Sequence, residues 1–263
     1  MKLAISNIAW ESEKDQEVYA LMNKYGFIGL EIAPTRIFPT APYEDLSSKK
    51  EWSVELHKEY GFSIPSMQSI WFGKQEKIFG NEEERQLLLE YTKRAIDFAK
   101  SVKCSNLVFG CPRNRNVPDG IEAQKIAVPF FYELGEYALA KGTVIGMEAN
   151  PPIYNTNYVN DTISAIELIK QIHSEGFKLN LDVGTMIQNS EKVSELKGNV
   201  SLINHVHISE PGLKIIQKRE LHQELAHCLR EEGYSGFISI EMGKQENVTV
   251  IEETMAYIKE IFG

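Results

Sequence analysis

Cysteine is scarce in this chain of 263 residues: Cys104, Cys111 and Cys228 are the only three, and their spacing is not that of a metal site. A disulfide framework and a thiolate-bound zinc are thereby disfavoured, and free thiols in a reducing compartment are expected. No apolar run approaches membrane-spanning length. The start, MKLAISNIAWESEKD, also lacks a charged segment leading into a long apolar stretch. Neither a spanning helix nor a secretory leader is therefore expected. Basic residues are outnumbered, 28 Lys and Arg against 37 Asp and Glu, for a formal net charge of −9. A nucleic-acid duplex or an anionic membrane would be repelled overall. Low-complexity stretches, charge blocks and Gly/Ser/Pro linkers are missing too, so one domain over residues 1–263 is expected. What remains is a cytoplasmic protein without a nucleic-acid or membrane partner, with a homo-oligomer allowed.

Present instead is enough apolar residue, 43%, to build a sizeable core. Eight β-type runs recur along the chain: residues 2–10, 26–34, 62–71, 105–112, 143–150, 177–185, 202–210 and 237–242. Helical spacing and capping signals lie between them. Asn81 with Glu84 opens a helix whose stripe of Leu87, Leu88, Tyr91, Ile96 and Phe98 is expected to be buried; Asp161 and Asn247 precede two more. Gly26, Gly61, Gly176 and Gly236 sit just before strands, where a helix end must turn into the sheet. Strand–helix alternation of this kind predicts an α/β fold, a closed (β/α)8 TIM barrel. A doubly wound open sheet is the alternative, but the first strand is not followed by G-x-G-x-x-G.

In such a barrel the active site lies at the C-terminal strand ends. The fifth run, TVIGMEAN, delivers Glu148 at its tip, and the next three deliver Asp182, His207 and Glu241, each about one βα unit further on. Two residues earlier stand Gly146, Asn180, His205 and Ser239, all small or polar, whereas Met147, Val183, Val206, Ile208, Ile240 and Met242 are apolar. The period of a strand is two, so all four tips face inward together. One Glu at a strand end is ordinarily a capping or salt-bridge group; four in register form a site. Three converging carboxylates would repel one another. One divalent cation resolves the conflict, and this hard donor set suits Mn, Mg, Co or Fe better than Zn. His205 is expected deeper in the lumen as a hydrogen-bonded core residue.

The runs GMEANP, LNLDVGTM, NHVHISEPG and FISIEMG resemble the sugar phosphate isomerase/epimerase superfamily, the xylose isomerase-like TIM barrels, and IGLEIAP and IPSMQSIWFG extend the likeness over essentially the whole chain. The resemblance implies that Glu148, Asp182, His207 and Glu241 are metal ligands and that Glu148 and Glu241 are the catalytic acid–base pair. Many relatives carry His within three residues of the Asp; here Thr185 stands in that stretch, so ketose epimerisation in particular is not implied. An endonuclease IV-type nuclease needs further histidines where this chain has Met67-Gln68-Ser69, Phe109-Gly110-Cys111 and Thr185.

The expected function is metal-dependent isomerisation or epimerisation of a sugar or sugar derivative, with a proton removed beside a carbonyl to give an enediolate. A dehydratase of inosose or dehydroshikimate type, and a sugar-binding barrel without turnover, are the alternatives. Trp10, Trp71 and Phe72 are candidates for apolar pocket walls, and Glu31 and Gln68 for hydroxyl contacts. Arg113 with Arg115 is a candidate pair for a phosphate or carboxylate. Asn150, Tyr154, Asn157, Lys214, His222 and Lys244 complete the candidate substrate contacts, and His173 is expected at a helix end on the surface.

Overall fold

A computed structural model describes residues 1–263. In chain order the elements are β1 (Lys2–Ser6), α1 (Asp15–Tyr25), β2 (Gly29–Glu31), α2 (Pro34–Ile37), α3 (Leu46–Tyr60), α4 (Glu82–Ser101), β3 (Leu107–Phe109) and α5 (Ala123–Lys141). There follow β4 (Ile145–Met147), α6 (Thr162–Ile172), β5 (Phe177–Asp182), α7 (Val183–Asn189), β6 (Ile203–Ile208), α8 (Glu220–Glu231), β7 (Phe237–Ile240) and α9 (Val248–Phe262). No helix is long and apolar enough to cross a membrane.

The strands form one parallel sheet in the order β2-β1-β7-β6-β5-β4-β3. Seven strands are regular, not the eight expected. The run at 62–71 makes only isolated bridges, Ser63 with Gly29 on one side and Met67 with Ile32 and Leu107. Pro65 is the reason: it has no N–H to give to a ladder. The segment still connects the two sheet edges, through Ile32 N–H to Ser66 O at 3.1 Å and Val108 N–H to Met67 O at 2.8 Å. At Ser69, φ is +56°, and the chain turns away.

The caps form where Asn, Asp and Glu stand at the right offsets. Asn81 Oδ1 accepts from Glu84 N–H at 2.9 Å while Glu84 Oε2 accepts from Asn81 N–H at 3.1 Å. Asp161 caps α6 through Ser164 N–H and Asn247 caps α9 through Thr249 N–H; each cap is worth about 1 kcal/mol. Leu88, Ile96 and Phe98 are buried as expected, but Leu87 is 60% exposed, because the buried stripe of α4 runs through Leu88, Leu89 and Thr92 instead. Gly26 and Gly61 end their helices in the left-handed region. Gly176 acts through packing instead: a Cβ there would lie 1.9 Å from Gly135 O, so its bareness lets β5 approach α5.

The alternation along the strands holds. Met147, Val183, Val206, Ile208, Ile240 and Met242 are all fully buried in the apolar core. Inside the sheet's curve lies a polar file instead: Asn106 Nδ2 donates to Ser66 Oγ at 3.0 Å and to Asn180 Oδ1 at 3.3 Å. Gly146 makes room for it, since a Cβ there would meet Asn106 Oδ1 at 2.5 Å.

Candidate metal centre

Each of the four tips is held by its strand's own backbone. Glu148 follows β4, and its N–H still pairs with Phe109 O at 3.1 Å; Glu241 follows β7 and pairs with Ile208 O at 2.9 Å. Asp182 ends β5 and caps α7, and His207 lies on β6. One donor atom from each of Glu148, Asp182, His207 and Glu241 lies within 4.8 Å of the others.

The carboxylates are oriented before anything binds. Glu148 Oε1 accepts from Asn180 Nδ2 at 2.9 Å and Oε2 from Asn150 Nδ2 at 3.1 Å. Asp182 Oδ1 accepts from the N–H and Oγ1–H of Thr185, at 2.6 and 2.8 Å, and Oδ2 from Ser209 Oγ. His207 turns Nδ1 toward Glu148 Oε1 at 3.0 Å and Glu241 Oε2 at 3.3 Å, while its Nε2 lies 2.9 Å from Glu31 Oε2. Gly110, after β3, leaves space for the first glutamate: a Cβ there would sit 2.7 Å from Glu148 Oε2.

Crowding of like charge shows in the proton affinities. Burial, then Glu148 and Glu241, push the Asp182 carboxyl up to about 7. Burial also raises Glu241. His207 goes the other way for a base: burial lowers it, but Glu31 and Glu241 overcome that and hold the ring well above its ordinary value. A site that drives a proton onto an Asp near neutrality is short of positive charge. Hard oxygen donors with one imidazole nitrogen fit a divalent cation.

Two cavities open on this cluster. The larger, about 480 Å³, is lined by Gln68, Trp71, Phe72, Lys74 and Arg113 among others; the smaller, about 130 Å³, by Asn150, Tyr154, Asp182, Ser209 and Leu213 among others. Glu148 and Glu241 line both.

Several expected contacts are placed elsewhere. Glu31 is completely buried behind His207 and lines neither cavity. Trp10 is buried, donates to Asp15 Oδ1 at 2.7 Å and lies under Arg36. Lys214 is exposed and lines neither cavity. Arg113 lines the larger cavity, but Arg115 is fully buried and structural, donating to Glu148 O at 2.9 Å, Asn150 Oδ1 at 2.9 Å and Val159 O at 3.2 Å. Asn157 ties its loop to Val117, Lys244 pairs with Glu11, and His222 is buried against Tyr257 Oη at 2.9 Å. His173 ends α6, as expected. His205 is buried like His207, yet its Nε2 makes no hydrogen bond: Glu31 Oε2 is 2.9 Å away but off the ring's donor direction. Sequence reasoning passed over Asn180 and Ser209 as site residues. Both lie two positions from a tip on the same strand face, which is the signal that finds them.

The sequence model of the xylose isomerase-like TIM barrel matches residues 19–261. The chain belongs to that family. Among solved structures it is similar to a D-psicose 3-epimerase determined in the presence of D-fructose, at 15% identity and a TM-score of 0.80, covering 100% of both chains. It is similar also to the 3-keto-D-glucoside 4-epimerase YcjR from E. coli, at 20% identity and TM-score 0.79 over 99% of both chains. A third is the IolI protein with a bound zinc atom, at 17% identity and TM-score 0.73, over 99% of this chain and 96% of that one. At such identities the likeness is one of fold. Among curated protein sequences none matches the chain.

Proposed function

We propose that this protein is a divalent-metal-dependent isomerase or epimerase of a sugar or sugar derivative, with Glu148, Asp182, His207 and Glu241 as the ligands. The observation that carries the reading is the convergence of those four donor atoms within 4.8 Å at the strand ends, with two of the glutamates facing both cavities. The family membership and the likeness to two sugar epimerases support it. A cation of the Mn, Mg, Co or Fe kind, when bound, supplies positive charge against the negative charge that builds on substrate oxygens.

The rest falls to the chain's own residues. Glu148 and Glu241 come from different strands and reach the substrate from two directions. One takes the proton from the carbon beside the carbonyl, and the C–H electron pair moves toward the carbonyl oxygen as an enediolate. The other returns a proton, to the opposite face of that carbon or to its neighbour. Asn180 and Asn150 hold the Glu148 carboxylate in place during this exchange. The larger cavity, with Trp71, Phe72 and Arg113, takes the part of the substrate that does not react, and Asn150 and Tyr154 contact the other end.

Metal content per chain, followed by solvent deuterium uptake into a panel of ketoses, inososes and sugar acids, tests the reading. One ion per chain and exchange into at least one compound are expected, with Glu148→Gln and Glu241→Gln each losing exchange by about 10²-fold or more. A fully loaded protein that exchanges none of the panel, or wild-type rates in both variants, overturns it.

A further inference from the structure

We propose that Glu31 is a positioning residue for His207: by accepting the Nε2–H of that ring it keeps the proton on Nε2 and leaves the Nδ1 lone pair turned to the cation. The inference rests on the functional reading above, since it concerns how one of the ligands is prepared.

A neutral imidazole carries one proton on one of two nitrogens, and the partner of that N–H determines which nitrogen is free to ligate. His207 is arranged so that the two nitrogens face different neighbourhoods. Nδ1 faces Glu148 and Glu241, and Nε2 faces Glu31 Oε2 at 2.9 Å. Glu31 has no exposure and no wall in either cavity, so it touches no substrate. Its other oxygen, Oε1, accepts from Gln68 Nε2 at 3.0 Å, and the same Nε2 donates to Ser6 Oγ at 2.7 Å. A carboxylate only accepts, so each of its oxygens can serve one of these donors. A glutamine at position 31 has a single acceptor oxygen. It also carries no charge, so even where the Gln68 amide turns over to accept from its NH2, the bond it offers to His207 Nε2–H is the weaker one.

Glu31, His205 and His207 also converge as three donor atoms of their own. They form a hydrogen-bonding layer and not a second cation site, because the only nitrogen His207 turns to that group is the one in contact with Glu31.

The deciding experiment is titration of the full chain with Mn²⁺ alone, in wild type, Glu31→Gln and the double variant Glu31→Gln/Gln68→Glu, with ion count per chain and melting temperature measured alongside. The double variant moves the carboxylate to position 68. There it accepts from the amide introduced at position 31 and frees that amide's oxygen for His207. One ion per wild-type chain, a loss of about 10–100-fold in affinity for Glu31→Gln, and recovery of most of that loss in the double variant are expected. With Zn²⁺ bound, the ring nitrogen resonances of wild-type His207 should report ligation through Nδ1 and a proton on Nε2. A merely structural role would lower the melting temperature without the exchange restoring affinity. Unchanged affinity in Glu31→Gln, no recovery in the double variant, ligation through Nε2, or a second ion lost with Glu31 each overturns the inference while leaving the functional reading in place. A wild-type chain that binds no ion overturns both.

Discussion

Two layers of buried ionisable groups lie one above the other in the barrel lumen, and His207 belongs to both. The upper layer sets three carboxylates, Glu148, Asp182 and Glu241, around one imidazole. The lower layer sets one carboxylate, Glu31, against two imidazoles, His205 and His207. The same residue types behave in opposite ways. Burial would raise Glu31, but the two imidazoles outweigh it and hold that carboxyl well below the usual carboxylate range. Asp182, buried among like charges, is pushed up to about 7. In the lower layer two imidazoles outweigh one carboxylate, although His205 Nε2 makes no hydrogen bond; in the upper one three carboxylates crowd around a single imidazole. A carboxylate whose neighbours satisfy it belongs to the architecture, and one whose neighbours oppose it marks a candidate functional site.

Removing a carboxylate from each layer should therefore act in opposite directions. In the metal-free protein Glu31→Ala leaves His207 Nε2 without an acceptor, takes from Gln68 Nε2 one of its two and opens a void, at a cost of about 3 kcal/mol read from urea unfolding. Wild-type stability in that variant would show that the lower layer is not balanced as described. The smaller effect is Asp182→Asn, which relieves repulsion while keeping an oxygen for Thr185. It should stabilise the metal-free protein by about 1 kcal/mol at pH 8 and weaken its response to Mn²⁺. Destabilisation by several kcal/mol without metal would remove the contrast between the layers.

The mildest probe is pH. Because the folded-state affinity of Asp182 for its proton is raised above that of the unfolded chain, the protonated form favours folding. That contribution is complete below the unfolded value, near 4, and is lost as pH rises through about 7. The metal-free melting temperature should accordingly fall between pH 6 and pH 8. Saturating Mn²⁺ should reverse the slope, because the ion competes with that proton. A metal-free profile that rises over this interval contradicts the assignment.

Much of this was readable along the chain. The four inward tips follow from period-two alternation and from spacing, both local properties of a strand, and the family resemblance is carried by the short motifs around them. Capping at Asn81, Asp161 and Asn247 was legible for the same reason, being settled within three residues. Errors arose where a residue's partner is distant. Pro65 broke the ladder of a run that otherwise reads as a strand. Arg113 and Arg115, two positions apart, looked like one pair of cations, but the short turn at Pro112–Asn114 puts one at the cavity and the other in the interior.

Strand–helix alternation along the chain pointed to an α/β barrel, and strand period to which side chains point into it, because the backbone alternates wherever it is extended. Depth along the lumen is another matter. Glu31 and Glu148 are both inward glutamates at strand ends, and only the stagger of neighbouring strands put one behind His207 and the other at the mouth. Stagger is set by packing among elements remote in sequence, so the division of these carboxylates into satisfied and unsatisfied was decided by the tertiary structure.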